Sequence, residues 1–178
     1  GRHHLVLLTT FDASNRQVAH QEVAVSLVVQ QVEALGVPLV GVPLLSHIPY
    51  TERIAAALDF ISSACRIERV CSGDLHLEYV QQWRIDNIGP LVDRIGATLH
   101  APLWKVPYET LSTDLWASGT PCRVCAITGD YGVKAGDLFD AELIEKLEGT
   151  TCDRFGEGGE FHTLAETWNC SRPDALLS

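Results

Sequence analysis

The chain has 178 residues, a formal charge of −10 and 46% hydrophobic residues. That length fits one domain or one with a small appendage, and the apolar share is enough for a buried core. The acidic balance argues against an extended nucleic-acid surface, and no apolar run reaches the roughly 18 residues of a membrane span.

In chain order, HLVLLTTF (4 to 11) reads as a buried strand. Val23, Leu27, Val28, Val32 and Leu35 fall near helical spacing within 21 to 35, and Gly36 stands where a C-cap glycine belongs. PLVGVPLL (38 to 45) returns to a strand-like run whose prolines either weaken the strand or mark its ends. Ile54, Leu58 and Ile61 predict a helix over 52 to 64, and a short strand follows over 67 to 71. Residues 76 to 95 read as helix, broken near Gly89-Pro90, with a further strand over 98 to 103.

The later chain changes character. The pattern predicts a helix over 107 to 118 and a strand over 121 to 128. Asp140 then reads as the N-cap of a helix over 141 to 148, with Gly149 beyond it.

Alternating strands and helices predict an α/β fold, a mainly parallel sheet with helices on both faces. The expected division is an α/β domain over 1 to 98 and a smaller C-terminal α+β domain over 99 to 178. Ligands of such sheets gather beyond the carboxyl ends of strands. That rule points to Thr9, Thr10 and Phe11, to 44 to 46, and to Ser72, Gly73 and Asp74.

Three clusters carry candidate chemistry. In CSGDLHLEYVQQWR (71 to 84), Gly73 would allow a sharp turn, and Asp74 would either cap the next helix or face a ligand. Glu78 aligns with Gln82 one helical turn on, and Arg84 offers a fork to an anion. In FGEGGEFHT (155 to 163), Glu157 and Glu160 are candidates to hold Mg2+ or position a nucleophile, and His162 to move protons near neutral pH. The plain alternative there is a surface hairpin with ordinary turn glycines. CRVC (122 to 125) has the spacing of a redox or zinc motif but no second pair. In a strand its thiols point to opposite faces, so these read as structural cysteines. With no secretion signal read in the sequence, all six cysteines read as reduced, mostly buried thiols of a cytoplasmic protein. The four tryptophans read as core or rim residues.

Taken together, these segments resemble the diphthine–ammonia ligase family of the PP-loop superfamily. The likeness runs through LLTTF (7 to 11), QVEALGVPLVGVPL (31 to 44), SGDLHLEYVQQWR (72 to 84), APLW (101 to 104) and FGEGGEFHT. SGDLHLE and GEGGEFHT are its more specific parts. The resemblance implies an adenine nucleotide alpha-hydrolase-like domain followed by a smaller one. It implies that ATP, with Mg2+, activates a carboxyl group by adenylation and that ammonia converts it to the amide. In the family that carboxyl belongs to diphthine on translation elongation factor two. Thr9, Thr10, Phe11, Gly73 and Asp74 would then lie toward ATP. Glu78, Arg84, Gly158, Gly159 and Thr163 would lie toward the acceptor, with Glu157, Glu160 and His162 catalytic. No metal ligands are assigned, and a homo-oligomer is compatible with the pattern.

Two departures qualify the likeness. The superfamily's phosphate loop, of the form SGGKDS, belongs ahead of LLTTF and is absent from this sequence; the expectation is an upstream segment that carries it. The alternative is a non-catalytic nucleotide-binding or regulatory module. In addition, archaeal and eukaryotic relatives tend toward EFET or EYET, whereas this chain has EFHT and resembles the bacterial branch. Bacteria generally lack diphthamide, so the reaction class transfers and the acceptor stays open. A PP-loop enzyme acting on tRNA fits the acidic balance poorly.

Overall fold

The computed structural model describes residues 5 to 18 and 21 to 172, so His4 of the first expected strand lies outside the described residues. It divides into two compact units. One comprises the chain up to Gly41 together with the chain from Tyr108 onward; the other is Val42–Pro107.

In the first unit, strand β1 (Leu7–Asp12) is followed by a turn that the sequence pattern did not predict. Asp12 makes that turn locally: its carboxylate accepts from the Ser14 N–H at 2.7 Å and from Ser14 Oγ at 2.6 Å. These bonds favour the charged form and hold its pKa below the usual carboxylate range. The chain then returns, with Phe11 bridging Val18 and Gln17 bridging Ala24. Helix α1 therefore starts only at Val25 and runs to Leu35. Gly36 ends it in the left-handed region at φ 65°, where a residue with a Cβ is disfavoured. Strand β2 (Leu39–Leu44), which crosses the division between the units, pairs with β1 in a two-stranded sheet.

The rest of this unit is built on α5 (Tyr108–Ser118), β5 (Cys122–Ile127), α6 (Ala141–Leu147) and β6 (Phe161–Ala165). β5 and β6 are antiparallel, with Val124 opposite Thr163 and Ala126 opposite His162. Two steps on β5 meet one on β6, so Cys125 is the extra residue of a β-bulge. Cys122, Val124 and Ala126 are buried while Arg123 is exposed and Cys125 only half-buried, the alternation expected of a strand covered on one face. Asp140 caps α6 as predicted, its Oδ1 accepting from the Leu143 N–H at 3.0 Å. Leu143, Ile144 and Leu147 of α6 then pack with Phe139, Val124 and Phe161 in the unit's core. Phe161 and Leu147 are each 1% exposed, and burial of an aromatic or leucine side chain contributes about 1.5–3 kcal/mol. Gln31 of α1 donates to the Ala165 carbonyl at 2.8 Å, tying the early chain to the end of β6.

The second unit begins with the end of β2 and continues through α2 (Tyr50–Ala64), β3 (Arg69–Cys71), α3 (Glu78–Asn87), α4 (Gly89–Arg94) and β4 (Thr98–His100). The predicted break at Gly89-Pro90 separates α3 from α4, because proline has no N–H to continue the ladder. β3 and β4 pair in parallel, Arg69 with Thr98 through Cys71 with His100, across the helical crossover. Ile54 and Leu58 of the predicted stripe of α2 cluster with Ile88, Val92 and Ala97, while its third member, Ile61, is only half-buried.

The architecture is thus a mixed α/β chain whose three sheets each have two strands among the described residues. None of its helices there is long and apolar enough to cross a membrane. All six cysteines are free, but they are not mostly buried: Cys122 and Cys152 are, whereas Cys65 and Cys71 are exposed. Trp83 and Trp116 are exposed as well, so those two are not core residues.

Candidate functional site

The residues singled out by sequence fall into both units, and each group is described within its own. In Val42–Pro107, Asp74 is not a helix cap. The N-cap position of α3 is Leu77, and no side chain caps it. Asp74 instead receives the guanidinium fork of Arg84: Nε donates to one carboxylate oxygen and Nη2 to the other, the latter at 2.9 Å. The side chains are 11% and 31% exposed for Asp74 and Arg84. The fork expected to meet an anion is therefore filled by a residue of its own segment. Gly73 adopts no positive φ, and a Cβ there would meet nothing within 4 Å, so the turn after β3 does not need glycine.

Glu78 does not pair with Gln82, which donates to Asp86 at 2.9 Å. Its partner is Lys105, at 2.9 Å, and this ion pair lowers the exposed Glu78 carboxyl's pKa. The Lys105 N–H also donates to the Leu75 carbonyl at 2.6 Å. Two segments distant in sequence, SGDLHLE and the turn after APLW, thereby meet at Lys105.

In the other unit, Thr9, Thr10 and Phe11 lie half-buried on β1. The Phe11 ring covers Gly41, where an added Cβ would stand 3.2 Å from Cε1.

The loop from Cys152 to Glu160 is organised by carboxylates, and its key residue is one that the sequence reading missed. Asp153 Oδ1 accepts from the Phe155 N–H at 2.8 Å and the Glu157 N–H at 3.3 Å. The Tyr108 hydroxyl reaches the two oxygens of the same carboxylate at 2.9 and 2.8 Å. The Asp153 N–H in turn donates to Glu160 Oε1 at 3.1 Å. Glu160 Oε2 is buried and has no hydrogen-bond partner among the described residues.

The three glycines have different reasons. Gly156 sits at φ 73°, and a Cβ there would lie 2.5 Å from the Phe161 carbonyl oxygen. Gly158 has no positive φ, but its Cβ would lie 2.6 Å from Glu160 Oε1. Gly159 takes φ 86° with open space around it. The loop's far end is fixed by Thr128, whose hydroxyl donates to the Gly159 carbonyl at 2.7 Å and whose N–H donates to the Glu160 carbonyl at 2.9 Å. His162 and Thr163 follow on β6, both half-buried, and the His162 carbonyl accepts from Cys125 Sγ at 3.3 Å. The structure thus brings Glu157 and Glu160 into one loop through Asp153, immediately ahead of His162.

Cys152 opens the same loop. Burial, with the charges of Glu160 and Asp153, pushes its thiol up to about 11. Burial likewise raises the Tyr108 hydroxyl, and the Asp153 hydrogen bond and charge add to the effect. No group of three or more His, Cys, Asp or Glu that could hold a metal ion occurs among the described residues. Asp153 Oδ1 is engaged by the Phe155 and Glu157 amides and lies near the Tyr108 hydroxyl, and Glu160 Oε1 accepts from the Asp153 N–H.

Asp153 and Tyr108 carry no sequence signal of their own. Asp153 resembles any loop aspartate, and Tyr108 resembles the first residue of a helix; only their meeting across 45 positions marks them. No protein-family model matches the chain, and a search of curated proteins finds no match.

Proposed function

We propose that this chain belongs to an ATP-dependent carboxylate–amine ligase of the diphthine–ammonia ligase type, working in the cytoplasm. The acceptor carboxylate attacks the α-phosphorus of Mg-ATP, forming an acyl adenylate and releasing pyrophosphate. Ammonia then attacks the acyl carbon and AMP leaves. The carrying observation is Glu160 Oε2, a buried carboxylate oxygen without a hydrogen-bond partner among the described residues. A buried acceptor in that state favours an N–H donor, since leaving it unsatisfied costs about 1–3 kcal/mol. In this reading Oε2 orients the incoming amine, and His162 takes the proton released as the C–N bond forms. Gly159, with open space around it, leaves the acceptor room to approach, Gly158 leaves room for the Glu160 carboxylate, and Glu157 and Thr163 border the site. Mg2+ arrives with the nucleotide.

The same reading extends to the fold, a mainly parallel sheet of the adenine nucleotide alpha-hydrolase type with helices on both faces. The parallel β3–β4 pair, joined through α3 and α4, is the kind of unit from which such sheets are built. Within Val42–Pro107, Gly73 and Asp74 then follow the carboxyl end of β3, where such sheets gather their ligands.

The test uses protein made from the complete gene, with Mg-ATP, ammonium and a panel of carboxylates, following AMP and pyrophosphate. Carboxylate-dependent release of both products supports the ligase. ATP binding without turnover supports the non-catalytic nucleotide module instead, and no ATP binding removes both readings.

A further inference from the structure

We propose that Asp153, clamped by the Tyr108 hydroxyl, is the positioning residue that fixes the Glu160 carboxylate. The assignment of catalysis to Glu160 rests on the ligase reading; the positioning itself rests on geometry.

Three donors converge on the Asp153 carboxylate: the Tyr108 hydroxyl, which lies within reach of both oxygens, the Phe155 N–H and the Glu157 N–H. An ionised carboxylate can accept from all three and has no donor of its own. With its side chain so held, the Asp153 N–H is aimed at Glu160 Oε1. One residue therefore joins the start of α5, two loop amides and Glu160.

Tyr108 is itself braced. Its ring lies 4.4 Å, centroid to centroid, from that of Phe155, and the Arg154 guanidinium stands 5.4 Å from the ring centroid. Arg154 also reaches Glu109 at 3.3 Å and Glu148 at 3.7 Å. The phenol thus stays over Asp153, and its raised pKa keeps it a donor across the neutral range. Displacing a reacting group by a fraction of an ångström is enough to slow chemistry severalfold, which is what a clamp of this kind prevents.

Tyr108→Phe tests the proposal with least disturbance, because the ring contacts stay and only the hydroxyl goes. Three readouts apply to protein from the complete gene: amide exchange at Phe155 and Glu157, the 13C resonance of the Glu160 side-chain carboxyl, and kcat against KM. Expected are an exchange rate raised about tenfold at both amides, a moved carboxyl resonance, and kcat lowered about tenfold with KM within about twofold. Tyr79→Phe, at an exposed tyrosine of the other unit, serves as the control and leaves all three unchanged. Unaltered exchange with an unaltered carboxyl resonance in Tyr108→Phe overturns the proposal. If the wild-type protein makes no amide from any carboxylate, the ligase reading falls, and the exchange and resonance results still decide the positioning.

Discussion

The main-chain N–H of Asp153 donates to Oε1 of Glu160 at 3.1 Å, while Oε2 of the same carboxylate is buried without a hydrogen-bond partner among the described residues. Glu160→Gln separates these two oxygens. The glutamine carbonyl still accepts from Asp153, and an uncharged amide replaces the unsatisfied oxygen. The expected melting temperature lies within about 3 °C of wild type or above it, a change of about 1 kcal/mol or less in a chain of this size. Turnover in the ligase assay should fall about a hundredfold, and His162→Ala should lower it with a similarly small thermal effect. A drop of about 10 °C for Glu160→Gln would make the carboxylate a structural staple of the loop.

Gly156 and Gly158 are two positions apart and should respond to alanine in opposite ways. Alanine at 156 meets the Phe161 carbonyl oxygen 2.5 Å away and must hold φ 73°. Neither the backbone nor the torsion yields cheaply, so a loss of about 2–4 kcal/mol in urea denaturation is expected. Alanine at 158 has an ordinary φ and meets only the end of the Glu160 side chain. That carboxylate must move aside, so Gly158→Ala should keep most of its stability, within about 1 kcal/mol, and lose activity. Equal destabilisation by the two substitutions would contradict the contacts seen at Gly158.

Asp74 and Arg84 form a two-pronged ion pair with Asp74 the more buried partner. Asp74→Ala leaves the fork unpaired and should cost about 2 kcal/mol, while Asp74→Asn, which keeps one acceptor, should cost less. A double-mutant cycle with Arg84→Ala is the direct measurement. A coupling energy near zero would return Arg84 to the role of an anion receptor, its pairing with Asp74 being then incidental.

Burial pushes both the Cys122 and the Cys152 thiols up to about 11 from an ordinary value of 9.0. Both stay protonated and unreactive at pH 8, whereas the exposed Cys65 and Cys71 should react with a thiol reagent first. Timed alkylation followed by peptide mapping checks the order. The linkage has a definite sign. Because the folded state holds these protons more tightly, the associated stability is intact below pH 9.0 and is lost as pH rises toward about 11. Urea melts at pH 7.5, 9.5 and 10.5, compared with a Cys122→Ala/Cys152→Ala protein, should show a steeper alkaline loss in the wild type.

Local signals in the chain were legible where one residue acts on its own backbone. Gly36 closes α1, Gly89-Pro90 interrupts the long helix, and Asp140 caps α6, each through chemistry contained within about four positions. The stripe of Ile54 and Leu58 was readable for the same reason, since helical period decides which side chains share a face. Residues 13 to 24 read differently from their fold because the turn at Asp12 and Ser14 is made by side-chain bonds that hydrophobic period does not register. Strand β6 was hidden inside a glycine-rich motif; its pairing partner β5 lies more than 30 positions earlier.

The candidate site divides along the same line. The sequence by itself determined that two glutamates, a histidine and three glycines stand within nine residues, and that Asp74 and Arg84 share a short segment. Only the tertiary structure decided that Arg84 spends its fork on Asp74, that Lys105 joins SGDLHLE to the turn after APLW, and that Asp153 and Tyr108 govern the glycine loop. The physical reason is range. Capping and periodicity act through bonds to near neighbours, whereas a buried carboxylate takes whichever donors the folded chain brings within 3 Å, and sequence distance places no limit on those.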